Sequence, residues 1–357
     1  MEFAISYPAR PDAWKDLVIA EDHGFTNCWF YDSQMIYSDV YVCMALAAEH
    51  TKRIKLSTGV AIPSNRIEPV TAHSIATINL LAPGRAMLGI GSGFTGRNTM
   101  GLPPVPLERI RAYVAMVRKL LRGEEVMYRD GKRERAIRFL HPRTEQGYIN
   151  IKDTIPIHLA ADGPKALEMT GEIADGWMTV LSDPERFKQK YELVKKGAQR
   201  AGRSFDNLPN AVLTSGCVLR DGERADSPRV VQRMGPFALV FLHALWEASA
   251  VSAGLQGPLL KVWERYRDEY IPTMKTPESK RYLEMHEGHL IYMRPGEDKY
   301  ATAELIGTMT LTGRGEEIRA RLKTLEAAGV KQIAIQVVHP FGREMIEDFS
   351  REVIAKY

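Results

Sequence analysis

The chain of 357 residues contains few cysteines: Cys28, Cys43 and Cys217 stand far apart. They form no C-x-x-C pair and none of the spacings that bind zinc. Each one lies in an apolar stretch of sequence. We therefore expect three buried free thiols and no disulfide framework, as in a reducing, cytoplasmic compartment.

Long apolar runs and an excess of one charge are also missing. No run reaches the roughly 18 residues that a membrane-spanning helix needs, and the first residues lack the features of a signal peptide. The 48 Lys and Arg residues oppose 44 Asp and Glu residues, a net charge of +4. This balance predicts neither nucleic acid nor a membrane surface as a partner.

What is present is an ordinary globular composition, with 45% apolar and 26% charged residues, which excludes disordered and fibrous architectures. Short apolar runs alternate with segments of helical spacing, and the runs are apolar almost throughout. Buried strands of a parallel sheet have this character. The predicted strands cover residues 2–7, 27–31, 54–61, 86–90, 157–161, 177–181, 211–219 and 332–338. The predicted helices cover residues 13–23, 39–50, 68–81, 107–121, 164–174, 183–201, 227–248, 316–328 and 341–355. The helix over 227–248 is expected to be interrupted or kinked near Gly235-Pro236.

Eight strands, each followed by helical sequence, favour an α/β fold of the (β/α)8 TIM-barrel type over two doubly wound domains. We expect a single domain over residues 1–357. Residues 124–155 read as a hairpin or loop insertion. The largest insertion, about residues 247–310 between strands 7 and 8, is expected to cap the C-terminal mouth.

Residues 91–96 read Gly-Ser-Gly-Phe-Thr-Gly, literally G-x-G-x-x-G after a strand. A dinucleotide fold needs this motif at its first strand with a helix opening directly on it. Here the strand is the fourth, and we expect a loop through several prolines before any helix. A glycine-rich loop at a barrel mouth instead lets backbone N–H groups approach an anion or a flat ring.

Two further motifs leave alternatives open. Residues 162–166 follow the fifth strand, and they form either an anion site at a helix N-terminus or an ordinary turn in which Asp162 caps the helix. The stretch His286-Glu287-Gly288-His289 is not H-E-x-x-H, and no third ligand is evident. We therefore expect no metal site and interpret the two histidines as solvated or substrate-facing.

Taken together, these signals resemble the bacterial luciferase-like family of flavin- and F420-dependent oxidoreductases, in the branch similar to 5,10-methylenetetrahydromethanopterin reductase. The resemblance covers residues 1–180 and 305–357 and is weak across 205–300. It depends on Trp29 to Gln34, Asp39 to Ala48, Thr58 to Pro63 with Arg66, Leu81 to Gly93, Gly163 to Leu167 with Ala174 to Gly176, and Leu311 to Gly313.

The resemblance implies a flavin-type site at the C-terminal mouth of the barrel. It implies that the Gly59–Val60 peptide is cis and forms a bulge behind the ring of the cofactor. It also implies that residues 162–165 hold the cofactor phosphate. The cofactor-binding residues expected in this way are Gly59, Val60, Ala61, Ser92, Gly93, Thr95, Arg97, Ala161, Asp162, Gly163, Pro164 and Lys165.

For catalysis, the resemblance places Tyr7 and Asp32 near the reacting face of the ring. Several F420-dependent relatives carry an Asp-His pair at the second strand, but here Ser33 follows Asp32. The candidate acids and bases by residue type are then His286 and His289, together with His73 and His339.

Three functions remain open. The first hypothesis is a two-component monooxygenase that receives reduced FMN from a separate flavin reductase and oxidises a small organic substrate with O2. The second is an F420-dependent reductase or dehydrogenase that transfers a hydride. The third is a non-catalytic flavin-binding barrel. In each case the family implies a homodimer.

Overall fold

The computed structural model describes residues 1–205, 208–247 and 255–357. Its strands are β1 Glu2–Pro8, β2 Asn27–Tyr31, β3 Lys55–Thr58, β4 Ala86–Ile90, β5 Val126–Asp130, β6 Arg133–Ile137, β7 Ile157–Ala160, β8 Gly176–Val180, β9 Asn210–Ser215 and β10 Gln332–Gln336. Eight of them close a parallel barrel in the order β1-β2-β3-β4-β7-β8-β9-β10. The predicted (β/α)8 fold class is therefore confirmed.

The helices lie close to their predicted positions. Asp39 caps α2 by accepting hydrogen bonds from two backbone N–H groups, and prolines open α6, α7 and α8 because the first turn needs no N–H donor there. The helices are α1 Trp14–Asp22, α2 Val40–His50, α3 Glu68–Leu81, α4 Phe94–Asn98, α5 Leu107–Leu121, α6 Pro164–Ile173, α7 Pro184–Arg200, α8 Pro228–Ala238, α9 Val240–Glu247, α10 Gly257–Arg265, α11 Arg281–Met285, α12 Ala303–Met309, α13 Gly315–Ala327 and α14 Gly342–Glu352.

One local prediction about the helices was wrong. The glycine-rich loop after β4 was expected to reach the prolines before any helix, yet α4 begins at Phe94, because Gly93 turns the chain with φ of +78°. The interruption expected near Gly235-Pro236 in the helix over 227–248 lies at Leu239, where α8 ends and α9 follows. Residue 248 lies outside the described residues.

The two insertions differ in structure. The first contains β5 and β6, which pair antiparallel and form the hairpin expected in residues 124–155. The segment between β9 and β10 holds α8 to α13. Its loop after α11 reaches the barrel, because Tyr37 Oη donates to the carbonyl of His289 at 2.9 Å and Gln336 Nε2 donates to that of Leu290 at 2.9 Å.

Alternate strand residues fill the barrel lumen in layers. Trp29 lies in the lower layer beside Ala4, Met178, Ala211 and Ala334, and its Nε1 donates to Gln332 Oε1 at 2.8 Å. The next layer toward the mouth contains Tyr31, whose hydroxyl lies 2.8 Å from Ser6 Oγ and 2.9 Å from Gln336 Oε1. The core of the barrel is thus closed below the mouth, so the chemistry is confined to the loops above it.

The three cysteines are buried free thiols, as predicted. Among the residues that the structure describes, no helix combines the length and the apolar character needed to cross a bilayer.

Candidate active site

A backbone bulge follows β3 at the mouth of the barrel. The Gly59–Val60 peptide bond is cis, as the resemblance implies. Gly59 N–H donates to the carbonyl of Phe30 at 2.6 Å, and Ala61 N–H donates to that of Gly89 at 2.8 Å. The bulge is therefore fixed to β2 on one side and to β4 on the other.

Two further residues shape the mouth of the barrel. Val180 ends β8 on the same side of the strand as the lumen residue Met178, yet it is 52% exposed. Gly91 stands beside the bulge, where an added Cβ would come within 2.5 Å of Val60 Cγ2. A glycine here therefore leaves Val60 in its place.

The glycine-rich loop after β4 forms one wall of the mouth. A Cβ on Gly93 or Gly96 would come within 2.8 Å of the Ile62 side chain, so α4 packs closely on the loop after β3. The Arg97 side chain donates from Nε to the carbonyl of Pro103, and Ser92 accepts a hydrogen bond through its carbonyl from Val105 N–H. Arg97 thus stabilises the loop by a hydrogen bond within it. Thr95 is a partly exposed residue of α4.

The N-terminus of α6 is exposed from Asp162 to Lys165. Gly163 is its N-cap and provides no side-chain hydrogen bond, so Asp162 does not cap the helix. Its Oδ1 instead accepts hydrogen bonds from Thr179 Oγ1 and from Lys190 Nζ, both at 2.6 Å. The first-turn N–H groups and the Lys165 ammonium group together suit an anion.

Ala161 is buried, unlike residues 162–165, which were predicted with it to bind the cofactor. It is 5% exposed, its N–H donates to the carbonyl of Met178, and its own carbonyl accepts from Trp177 Nε1 at 2.9 Å. Both of its backbone groups are used within the barrel, so it supports the loop that follows it.

Asp32 lies at the end of β2 and is 5% exposed. Burial raises the pKa of its carboxyl to about 6, although Arg66 and a hydrogen bond from Gln34 Nε2 at 2.6 Å oppose the rise. The nearest guanidinium nitrogen of Arg66 is 3.8 Å from Asp32 Oδ2, and Arg66 also pairs with Asp39 and stacks on Tyr41. Asp32 is therefore a carboxyl group of the mouth that changes charge close to neutral pH.

The structure does not bring Tyr7 to the same place. Ala4, on the same strand, lies in the lumen, and Ser6 contacts the Tyr31 hydroxyl there. The Tyr7 hydroxyl instead donates to Asp16 Oδ2 of α1 at 2.5 Å. Burial and the contact with Asp16 raise the pKa of Tyr7 above its usual range. The two-residue period of the strand directs this side chain outward, toward α1.

The histidines His286 and His289 lie together in the segment between β9 and β10. Their Nδ1 atoms are 3.4 Å apart, and both side chains are buried. His286 Nε2 lies 2.5 Å from Glu247 Oε1, and Glu247 Oε2 accepts from Asn98 Nδ2 at 3.0 Å. Burial, reinforced by the neighbouring His286 and His243, lowers the pKa of His289 well below its ordinary value.

Sequence reasoning missed Glu247 and Asn98. The only signal for Glu247 is its position four residues after His243 on α9, which places both on one helix face. Among the described residues, no group of three or more His, Cys, Asp or Glu side chains is arranged to hold a metal ion.

Enzymes built on (β/α)8 barrels carry their chemistry at this end of the barrel, in the loops that follow the strands. Residues 9–332 match the sequence model of the family described as luciferase-like monooxygenase. The chain belongs to that family and is an oxidoreductase. The family resemblance inferred from the residues is thereby confirmed.

Individual relatives extend over nearly the whole chain. It is 28% identical over 344 residues to a 5,10-methylenetetrahydromethanopterin reductase of Archaeoglobus fulgidus, covering 95% of this chain and 93% of that protein. It is 26% identical over 327 residues to an F420-dependent glucose-6-phosphate dehydrogenase of Microbacterium testaceum, covering 86% of this chain and 91% of that protein.

Solved structures share the fold. The coenzyme F420-dependent tetrahydromethanopterin reductase of Methanopyrus kandleri matches with a TM-score of 0.70 at 24% identity, covering 100% of this chain and 99% of that one. The oxygenating constituent of 3,6-diketocamphane monooxygenase of Pseudomonas putida, in complex with FMN, matches with a TM-score of 0.64 at 15% identity, covering 100% and 98%.

Proposed function

We propose that this protein is an F420-dependent oxidoreductase that transfers a hydride between the deazaflavin ring and a small organic substrate. The observation that carries the proposal is the 28% identity to a methylenetetrahydromethanopterin reductase along 95% of the chain. The second relative is named as F420-dependent, and so is the tetrahydromethanopterin reductase of Methanopyrus kandleri that shares the fold. Reduced FMN was the first hypothesis from the residues and the family resemblance, and F420 was the second. The present proposal reverses that order.

The geometry of the mouth fits a flat ring with a phosphorylated tail. We assign the apolar floor for the ring to Val60 in the bulge and to the exposed Val180 at the end of β8, and Gly91 adds no side chain against Val60. The exposed N-terminus of α6 suits the phosphate, and Lys165 adds a positive charge for an acidic tail. When bound, F420 supplies a ring carbon that accepts a hydride or returns it.

The residues around the floor have separate tasks in this proposal. Lys190 and Thr179 hold the Asp162 carboxylate, so that its negative charge is partly neutralised beside the phosphate site. Asp32 follows β2, and a guanidinium nitrogen of Arg66, in the loop after β3, lies 3.8 Å from its carboxyl group. The Arg66 guanidinium can compensate the negative charge that a ring gains on reduction, and a protonated Asp32 can donate a hydrogen bond to it.

A second candidate function is the two-component monooxygenase with reduced FMN supplied by a separate flavin reductase. The fold match to an FMN-bound monooxygenase favours it. FMN also carries a phosphate, which the N-terminus of α6 would accept equally well. The anion site therefore does not distinguish the two cofactors, and direct binding does.

The deciding experiment is a fluorescence or calorimetric titration of the purified protein with F420 and, under anaerobic conditions, with reduced FMN. We expect F420 to bind at least tenfold more tightly. Tight binding of reduced FMN with no affinity for F420 would establish the second candidate instead. Binding of either cofactor, with no substrate-dependent oxidation or reduction of it across a broad set of compounds, would support the non-catalytic barrel.

Three earlier expectations stay part of this proposal: a small-molecule substrate, a homodimer, and a single domain in which about residues 247–310 cap the mouth. Support for the cap comes from the two hydrogen bonds that join the loop of His289 and Leu290 to Tyr37 and Gln336. Part of the cap lies outside the described residues.

A further inference from the structure

Helix α9 carries two acid–histidine pairs on one face. His243 Nε2 lies 3.1 Å from Glu297 Oε1, and Glu247 Oε1 lies 2.5 Å from His286 Nε2. Glu297 is 2% exposed and also accepts hydrogen bonds from Tyr266 Oη and from Arg294 N–H, each at 2.8 Å. Its oxygens are thus occupied by groups within the insertion, as expected of a structural anchor.

Both carboxylate oxygens of Glu247 are also in hydrogen bonds, to His286 and to Asn98, but unlike Glu297 this residue lines a cleft of about 350 Å³. This volume suits part or all of a small organic molecule. Aromatic side chains of Trp246 and Tyr282 and the backbone near Gly101 contribute to the walls, so the cleft combines apolar surface with one carboxylate. Its described lining residues are Asn98, Gly101, Leu102, Pro103, Trp246, Glu247 and Tyr282.

The cleft adjoins the wall of the proposed cofactor site. Asn98, which donates to Glu247 at 3.0 Å, lies on α4 three residues after Thr95. Residues with this spacing are neighbours on a helix surface, with Cβ atoms roughly 5–6 Å apart. Thr95 is one of the residues expected at the edge of the cofactor, so Glu247 is connected to that edge through a single short helix.

We propose that Glu247 exchanges a proton with the substrate, that His286 and Asn98 position it, and that the substrate is a small alcohol or amine with an apolar or aromatic body. This inference rests on the proposed hydride-transfer function. In the oxidative direction the substrate C–H bond breaks and its electron pair leaves as hydride to the deazaflavin. The O–H or N–H bond breaks, its proton passes to a Glu247 carboxylate oxygen, and a C=O or C=N bond forms.

The surroundings of Glu247 support this role. Three histidines are the titratable groups around Glu247: His286 contacts it directly, and His289 and His243 lie beyond His286. Asn98 faces Glu247 from α4 as a neutral donor. Because His289 stays neutral, it places no fixed positive charge behind His286. His286 and Asn98 therefore hold the Glu247 carboxylate in place from two sides.

The first test needs no cofactor. The purified protein is treated with a water-soluble carbodiimide and glycinamide, and modified carboxyl groups are mapped by peptide mass spectrometry with and without benzyl alcohol as a cleft ligand. We expect Glu247 to react at least tenfold faster than Glu297 and to be protected by benzyl alcohol. Equal labelling of Glu247 and Glu297, or no protection, would overturn the proposal.

The second test compares Glu247→Gln, Glu247→Asp and His286→Gln with the matched control Glu287→Gln, whose side chain is 61% exposed beside His286. Reduction of F420 is followed with 2-propanol, cyclohexanol and 1-phenylethanol. We expect Glu247→Gln to lower kcat about 100-fold, as loss of a general acid–base does, with F420 affinity and Tm unchanged. Glu247→Asp should recover part of the rate, and His286→Gln should shift the pH profile.

A kcat of Glu247→Gln within threefold of the wild-type value would contradict the proposal, whereas the control is expected to keep the full rate. If the wild-type protein binds no F420, the proposed function fails and the labelling result still decides the accessibility of Glu247. If F420 binds but none of the three alcohols is oxidised, or if Glu247→Gln does not fold, the labelling and its protection by benzyl alcohol decide the proposal.

Discussion

Lys190 Nζ lies 2.6 Å from Asp162 Oδ1, and this ion pair joins the middle of α7 to the loop before α6. The lysine is 8% exposed, whereas Asp162 stands at the surface where the phosphate is proposed to bind. A carboxylate at that place would repel an anion unless its charge were compensated. The buried Lys190 therefore favours anion binding at the proposed phosphate site indirectly, by compensating the charge of Asp162.

Replacing Lys190 by methionine is expected to weaken binding of F420 and of inorganic phosphate about tenfold, or about 1.4 kcal/mol, because Asp162 then keeps its full charge. Isothermal titration calorimetry measures both affinities. Lys188→Met is the matched control, since Lys188 lies on the same helix, is half exposed and pairs with Glu185. Equal affinities for the wild-type and K190M proteins would show that the pair has no part in anion binding.

The raised pKa of Asp32 predicts how the stability of the folded protein depends on pH. Burial raises the pKa of its carboxyl from 3.8 to about 6, so between these values the folded state binds the proton more tightly than the unfolded state. The contribution of Asp32 to stability is therefore complete below pH 4 and is lost as the pH rises through 6. The Tm of Asp32→Asn, relative to wild type, should increase from pH 4 to pH 6 and then level off.

Thermal unfolding by circular dichroism at four or more pH values gives this comparison. A constant difference in Tm from pH 4 to pH 7 would contradict it. In the same variant, the group with a pKa near 6 should disappear from the pH profile of cofactor reduction, because an amide does not titrate.

The contact between Gly91 and Val60 can be tested by a pair of compensating substitutions. Gly91→Ala adds a Cβ that would lie 2.5 Å from Val60 Cγ2, so Val60 must shift into the space above the floor. We expect at least a tenfold loss of cofactor affinity. Val60→Ala removes the offending methyl groups, so the double variant should recover most of that loss, which a double-mutant cycle measures as a coupling energy.

An exposed apolar surface on α2 and α3 bears on the proposed homodimer. Val42 of α2 is 56% exposed and Val70 of α3 is 45% exposed, and the two helices pack beside one another. If a second copy covers this surface, Val70→Glu should shift the protein from dimer to monomer. Light scattering after gel filtration measures the change, with Leu283→Glu, on α11, as the control that keeps the wild-type mass.

Local sequence patterns were sufficient for the barrel. The helix bounds of α3 and α5 were predicted residue for residue, because amphipathic spacing and a proline or glycine at each end are local properties. The cis bulge at Gly59–Val60 was implied by the resemblance to the family, and the helix start near Gly163 was predicted from Pro164 after a strand. The prediction for the loop after β4 was wrong, because Gly93, in the left-handed conformation, decided where α4 begins.

The chemistry of the site depended on contacts that no local pattern contains. Glu247 meets His286 across 39 residues of sequence, and Lys190 meets Asp162 across 28. Tyr7 and Asp32 both end strands, yet closure of the barrel sends one toward α1 and the other toward the mouth. The sequence by itself determined which segments become strands and helices, because that choice is made within a few residues. Only the tertiary structure decided which side chains share a site, since partners are set by how the strands close and how the insertion folds back.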